Sequence, residues 1–142
     1  MSSLREQILA RIAAALTAAG VATAVFRSRE TSITRAQTPA ITVLLAGETD
    51  TRMSAGVDKH LLRVNLAIFV RGDPWDNLAD AVATPMHQVV MSDAQLWALS
   101  LDVRKVATEV EAEEADRTAG TLSCIYEITY LTRAGDISAA PV

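Results

Sequence analysis

Two histidines, one cysteine and two runs of carboxylates are the residues of this chain whose types could do chemistry. His60 stands near the start of an alternating run and His87 inside a helical one. Neither has a second His, a Cys or a carboxylate at a spacing such as H-x-x-x-H, which would put two ligands on one face of one element, so no metal is expected. Cys124 falls in the alternation Leu122, Cys124, Tyr126, Ile128, Tyr130 and reads as a small core residue. A nucleophilic thiol requires an activating base, and none is recognisable beside it. The patterns G-x-S-x-G, the phosphate loop and G-x-G-x-x-G are all missing from the chain. Asp73, Asp76 and Asp80 cluster where a helix should begin, which suits capping and a solvated face better than acid–base work. Glu109, Glu111 and Glu113 share one face of a strand, with Glu114 beside them. Like charges at that spacing repel, so they should face solvent or meet arginines. The expectation is a protein with no catalytic residues, no cofactor and no enzymatic turnover.

The basic residues say more. Arginine outnumbers lysine eleven to two, and Arg27, Arg29, Arg35 and Arg52 gather around the first β-region. The planar guanidinium fork forms bidentate pairs with carboxylates, so it suits interfaces better than lysine does. Separated arginine-rich and glutamate-rich elements suit head-to-tail assembly, one edge of a subunit meeting the other edge of the next copy. A generally arginine-rich composition accounts for the same bias equally well.

The elements that position these groups are legible from periodicity. Ser3-Leu-Arg-Glu6 forms a capping box, in which Ser3 accepts from the third helical N–H and Glu6 reaches back to the Ser3 amide. Leu4, Ile8, Ile12, Leu16 and Ala19 then make a helical ridge, and Gly20 stops it, predicting a helix over 3–19. Residues 22–29 read as a short strand at an edge, 30–38 as a loop and 40–46 as a strand ended by Gly47, with part of 48–56 available as a hairpin arm. The run 62–70 alternates most clearly, with Leu62, Val64, Leu66, Ile68 and Val70 on one face. Asp73 as N-cap and Pro74 at the first helical position open a second helix. Its stripe is Leu78, Ala81, Val82, Pro85 and Val89 with Met86 beside it; Pro85 should kink this helix rather than end it. One further turn follows at 94–99, then strands over 101–113 and 122–133, and a frayed tail over 136–142. The order predicts an α+β fold: an antiparallel or mixed sheet of about five strands packed against two α-helices. Leu66, Ile68, Val82, Ile128 and Ile12 are the expected shared core.

Composition sets the outer bounds. At 142 residues the chain suits a single domain over 1–142, and 50% hydrophobic with 21% charged residues excludes a disordered one. No apolar run reaches the length of a membrane span, and the first residues lack the basic and apolar regions of a signal peptide, so a cytosolic chain is expected. A lone cysteine makes no internal disulfide. A net charge of −4 argues against a dedicated nucleic-acid binder.

Several phrases, in order, resemble a known family. They are Val25-Phe-Arg-Ser-Arg-Glu30, Thr38-Pro-Ala-Ile-Thr-Val43, Leu62-Arg-Val-Asn-Leu-Ala-Ile-Phe-Val70, Ser92-Asp-Ala-Gln-Leu96 and Tyr126-Glu-Ile-Thr-Tyr-Leu-Thr-Arg-Ala-Gly-Asp136. Together with the order of elements, they are similar to the tail-terminator (tail-completion, minor tail) proteins of long-tailed bacteriophages. The resemblance implies an α+β structural virion protein that forms a hexameric ring on the head-proximal end of the tail tube. There it would end tube polymerisation and present a surface for head–tail joining. The implied partners are other copies of itself, the tail tube protein and the head–tail connector or neck protein. DNA would pass through the ring without specific binding, no membrane is involved, and assembly would take place in the host cytoplasm. The expected interface pairs Arg27, Arg29, Arg35 or Arg52 with Glu109, Glu111 or Glu113 across subunits. The rival readings are another neck or head-completion protein and a small cytosolic α+β enzyme.

Overall fold

A computed structural model describes residues 2–28, 33–112 and 118–141. The chain runs α1 (Leu4–Ala19), β1 (Ala24–Phe26), a 3-10 turn (Arg35–Gln37), β2 (Ala40–Ser54), β3 (Val57–Arg71), α2 (Trp75–Ser92), α3 (Ala94–Leu99), β4 (Asp102–Ala112) and β5 (Ala119–Arg133). The strands form one mixed sheet in the order β1-β2-β3-β5-β4. Only β1 runs parallel to its neighbour; the other pairs are antiparallel. The α+β class and the five strands are as the periodicity implies, with the turn at 94–99 forming a third, short helix.

One core joins the helices to one face of the sheet. Leu62, Val64, Leu66, Ile68 and Val70 of β3 and Cys124, Tyr126, Ile128 and Tyr130 of β5 supply the sheet side. Leu4, Ile8, Leu9, Ile12 and Leu16 of α1 supply much of the other side. The five residues expected to share the core do so: Ile12, Leu66, Ile68, Val82 and Ile128 are all buried.

Helix α1 begins and ends as its sequence demands. Ser3 Oγ accepts from the Glu6 amide at 3.1 Å, and Gly20 adopts the left-handed conformation (φ 65°) that a side chain would resist. The reciprocal half of the capping box does not form, because the Glu6 carboxylate instead accepts both arms of Arg27, at 2.8 and 3.0 Å. Helix α2 differs from expectation in two respects. Pro74, without a side-chain cap, occupies the N-cap position in place of Asp73. Its buried stripe is Ala79, Val82, Met86 and Val90, whereas Leu78 and Ala81 lie outward. The helix continues through Pro85 to Ser92.

Asp93 ties the helices together. It caps α3 by accepting from the Leu96 amide at 3.0 Å and takes both arms of Arg11, each at 2.8 Å. Arg11 holds the Asp93 carboxyl below its usual range, and the Leu96 amide adds to that effect against the cost of partial burial. A carboxyl depressed in the folded state stabilises above the unfolded-state pKa of about 4 and loses that contribution as pH falls below it. Asp93→Asn keeps the capping oxygen and removes the charge. Melting curves from pH 7 to pH 3 should therefore show a shallower acid-side loss in this variant than in the parent. Asp93→Ala also loses the cap, at a cost of about 1 kcal/mol.

Gly120 shows how tightly α2 sits on the sheet. A Cβ placed there would lie 2.4 Å from Cδ2 of the Trp75 indole. Gly120→Ala should destabilise by about 1–3 kcal/mol, read by urea denaturation, because the ring has to move off β5.

The C-terminal segment is held, contrary to the frayed tail expected over 136–142. Ile137 C=O accepts from the Leu4 amide at 2.8 Å, and Ala139 C=O accepts from the Arg133 amide at 3.0 Å. Asp136 Oδ1 accepts from the Ser138 amide at 3.0 Å, so the segment makes a turn that closes against the start of α1. Its last residue, Val142, lies outside the described residues.

Candidate functional site

Each side of the sheet ends in a long unpaired edge among the described residues. On one side β1 pairs only with Ala40–Thr42, which leaves β2 beyond Thr42 as an edge as far as Ser54. On the other side β4 pairs with β5 alone. Nearly every side chain of β4 is exposed on both faces, Val103 being the buried exception. Val110 is 66% exposed and Val106 39%. Helix α2 contacts β3 and β5, leaving an open cleft of about 510 Å³ beside β4, with Leu122, Cys124 and Tyr126 in its floor and His87, Asp80 and Lys105 at its rim. His87 Nδ1 lies 2.8 Å from the Tyr126 hydroxyl. Burial pushes the Cys124 thiol and the Tyr126 hydroxyl upward from their ordinary ranges, the opposite of an activated nucleophile.

The expected interface residues separate into three groups. Arg35 in the 3-10 turn and Glu109 and Glu111 on β4 are exposed. Arg27 and Arg52 have partners in their own chain, Glu6 for the first and Asp58 at 2.5 Å for the second. Arg29 and Glu113 lie outside the described residues, so their expected contacts are not described. Glu109 and Glu111 stand opposite Ser123 and Thr121 of β5. Further along the same sheet, Glu127 already lies between Arg63 (3.8 Å) and Arg104 (3.4 Å).

The sheet also assembles a group that the spacing of residues along the chain does not reveal. Strands β2 and β3 form a hairpin about Ala55 and Gly56, and its register sets Asp50 opposite His60. A bulge between Leu45 and Gly47 interrupts that register. Gly47 has φ 143° there, a value that L side chains rarely adopt. The extra residue reverses the alternation. Odd-numbered Ile41 and Val43 face the core before it, and even-numbered Glu48 and Asp50 take that face after it. On β3, His60 lies two residues before Leu62 and so extends the core stripe. Tyr130 of β5 is opposite His60 in the register.

The result is a polar knot at the end of the hydrophobic core. His60 is 5% exposed. Its Nδ1 lies 2.6 Å from Asp50 Oδ1 and 3.8 Å from Glu48 Oε2, and its Nε2 lies 2.7 Å from Thr132 Oγ1. The imidazole stacks on Tyr130, with centroids 4.6 Å apart. Tyr130 donates to Glu48 Oε1 at 2.5 Å, and Arg5 donates to Glu48 Oε2 at 3.1 Å. Burial first, then the bond to Glu48, pushes the Tyr130 hydroxyl well above the usual phenol range, so it remains a donor. Glu48, Asp50 and His60 are the one trio among the described residues whose ligand atoms all lie within 4.8 Å of one another. Thr132, His60 and Asp50 also stand in the order hydroxyl, imidazole, carboxylate. With no exposed surface on Thr132, no substrate reaches that hydroxyl.

No protein-family model matches the chain, and no curated protein matches it.

Proposed function

We propose that this chain is a structural subunit that closes, with about five further copies, into a ring on the head-proximal end of a phage tail tube. The ring ends tube polymerisation and offers the surface for head–tail joining; its partners are other copies of the chain, the tube protein and the connector. The sequence resemblance supplies the identity of the assembly. The observation that carries subunit association is β4.

A long edge strand with exposed valines is a ready template for pairing, and proteins that work alone blunt such edges with bulges, charges or a covering element. Strand β4 has a bulge between Lys105 and Ala107 and the charges of Lys105, Glu109 and Glu111. Val110 nevertheless stands uncovered between the two glutamates. The edge of β2 that is free among the described residues lies at the opposite side of the same sheet. Two different edges meeting head to tail form a heterologous contact, which closes into a ring when the rotation between copies permits. Arg35 and the guanidinium of Arg52, 62% exposed, are available to Glu109 and Glu111 of a neighbour. Each exposed pair contributes only about 0–1 kcal/mol, so the contact depends mainly on buried area and strand pairing.

The experiment is reversal of charge at Arg35 and Arg52 in a phage or prophage that makes these tails, followed by electron microscopy of the lysate. Overlong, headless tails are expected. Tails of normal length joined to heads would remove these arginines from the contact, and a lone copy at the tail end would remove the ring.

A further inference from the structure

We propose that Glu48, Asp50 and His60 bind one divalent transition-metal ion of the zinc class. Nδ1 of His60 supplies the nitrogen ligand, and the two carboxylates supply the oxygens. This reverses the expectation drawn from spacing within single elements. Strand register and the Leu45–Gly47 bulge bring the three side chains together.

The distances favour an ion. Zinc bonds to nitrogen and oxygen at about 2.0–2.1 Å, which sets neighbouring ligands of a tetrahedral site about 3.3 Å apart. The separations of 2.6 and 3.8 Å from Nδ1 to Asp50 and Glu48 bracket that value. The three ligand atoms all lie within 4.8 Å of one another, so side-chain rotation has to open the Asp50 contact and close the Glu48 one around a shared centre. A single proton on Nδ1 bridges to Asp50 and leaves Glu48 Oε2 facing the ring without a bond from it. A dication satisfies both carboxylates. One histidine with two carboxylates is a borderline donor set, which suits zinc better than calcium or magnesium with their all-oxygen preference.

The surrounding groups behave as a supporting shell. When Nδ1 binds metal, Nε2 carries the proton and donates it to Thr132 Oγ1, the second bond that orients a metal-ligating imidazole. The Thr132 hydroxyl accepts in that state and donates in the other, so it serves both tautomers. Tyr130 holds Oε1 of Glu48 and leaves Oε2 to face the ion. Asp50, with its side chain 60% exposed, provides the way in, and water completes the coordination.

Arg5 is the one opposing group. Its guanidinium lies 3.1 Å from the Glu48 oxygen that the ion would use. It sits in the first turn of α1 with its side chain 35% exposed and is able to swing into solvent. Removing it should tighten metal binding, whereas removing one member of a plain hydrogen-bonded brace would have no such effect.

The test is calorimetric titration of the purified full chain, stripped with chelator, with ZnCl2. Cobalt(II) absorption and the shifted imidazole N–H proton of the cobalt form report the nitrogen ligand without disturbing buried His60. One saturable equivalent per chain is expected, lost in Asp50→Asn and in Glu48→Gln, unchanged in His87→Gln and tightened several-fold in Arg5→Ala. No saturable binding to the parent or to Arg5→Ala would overturn the proposal and leave the knot as a brace. Binding that survives both carboxylate variants, or that is indifferent to Arg5→Ala, would also overturn it by placing the ion elsewhere. The titration uses free subunits, so its outcome stands apart from that of the ring.

Discussion

Leu66→Ala should lower the stability of the subunit by about 2–5 kcal/mol, a large share of the roughly 5–15 kcal/mol available to a domain of this size. Leu66 lies on the middle strand of the sheet with no exposed area. Its register partners are Val43 on one side and Cys124 on the other. Truncation removes the transfer free energy of the lost side-chain atoms and leaves a cavity among β-branched neighbours whose χ1 angles are stiff. Leu45 is the internal control: it faces a similar strand environment but is 53% exposed beside the bulge, so Leu45→Ala should change stability by no more than about 0.5 kcal/mol. Urea denaturation of the two variants separates the cases. Equal losses would mean that the core does not lie where α1 and α2 cover the sheet.

Val110→Lys should leave the subunit folded and abolish its assembly. At 66% exposure the side chain contributes little within the chain, so the stability change should remain within about 0.5 kcal/mol. In a neighbour's sheet the same position would bury an ammonium group with no partner, at a cost of several kcal/mol once desolvation is counted. Sedimentation at high protein concentration and micrographs of tails made with the variant supply the two readings: monomers in the first and overlong tails without heads in the second. A variant that assembles normally would free β4 from the interface and move the contact to another surface.

How much of this was written plainly in the sequence depended on how directly each residue type reports its surroundings. Leu62–Val70 was legible because a strand buried on one face alternates strictly, and β3 keeps that alternation without a bulge. The start and stop of α1 were legible because Ser3 and Gly20 each answer a local backbone requirement. The phase of α2 was not. Leu78, 40% exposed, lies close over Gly72 at the lip of the core, where it reads as part of the stripe while Ala79 does the packing. The tail was illegible for a different reason: main-chain bonds to Leu4 and Arg133 hold it, and side-chain types do not encode those. The Glu48–Asp50–His60 group was hidden by two register shifts, between Leu45 and Gly47 and between Arg52 and Ser54. Together they decide which β2 side chains share the core face with His60, and no count along the chain reports them. Counting outward from the Ala55–Gly56 turn does not find the pair either: it sets Asp50 against Leu61, and the shift between Arg52 and Ser54 brings His60 there instead.

The ring itself is tested most directly by cryo-electron microscopy of the head-proximal tail end, with this chain carrying a density label. A closed ring of about six labelled copies, with β4 of each against β2 of the next, is the expected image. A single labelled copy, an open filament or an unlabelled tail end would contradict it.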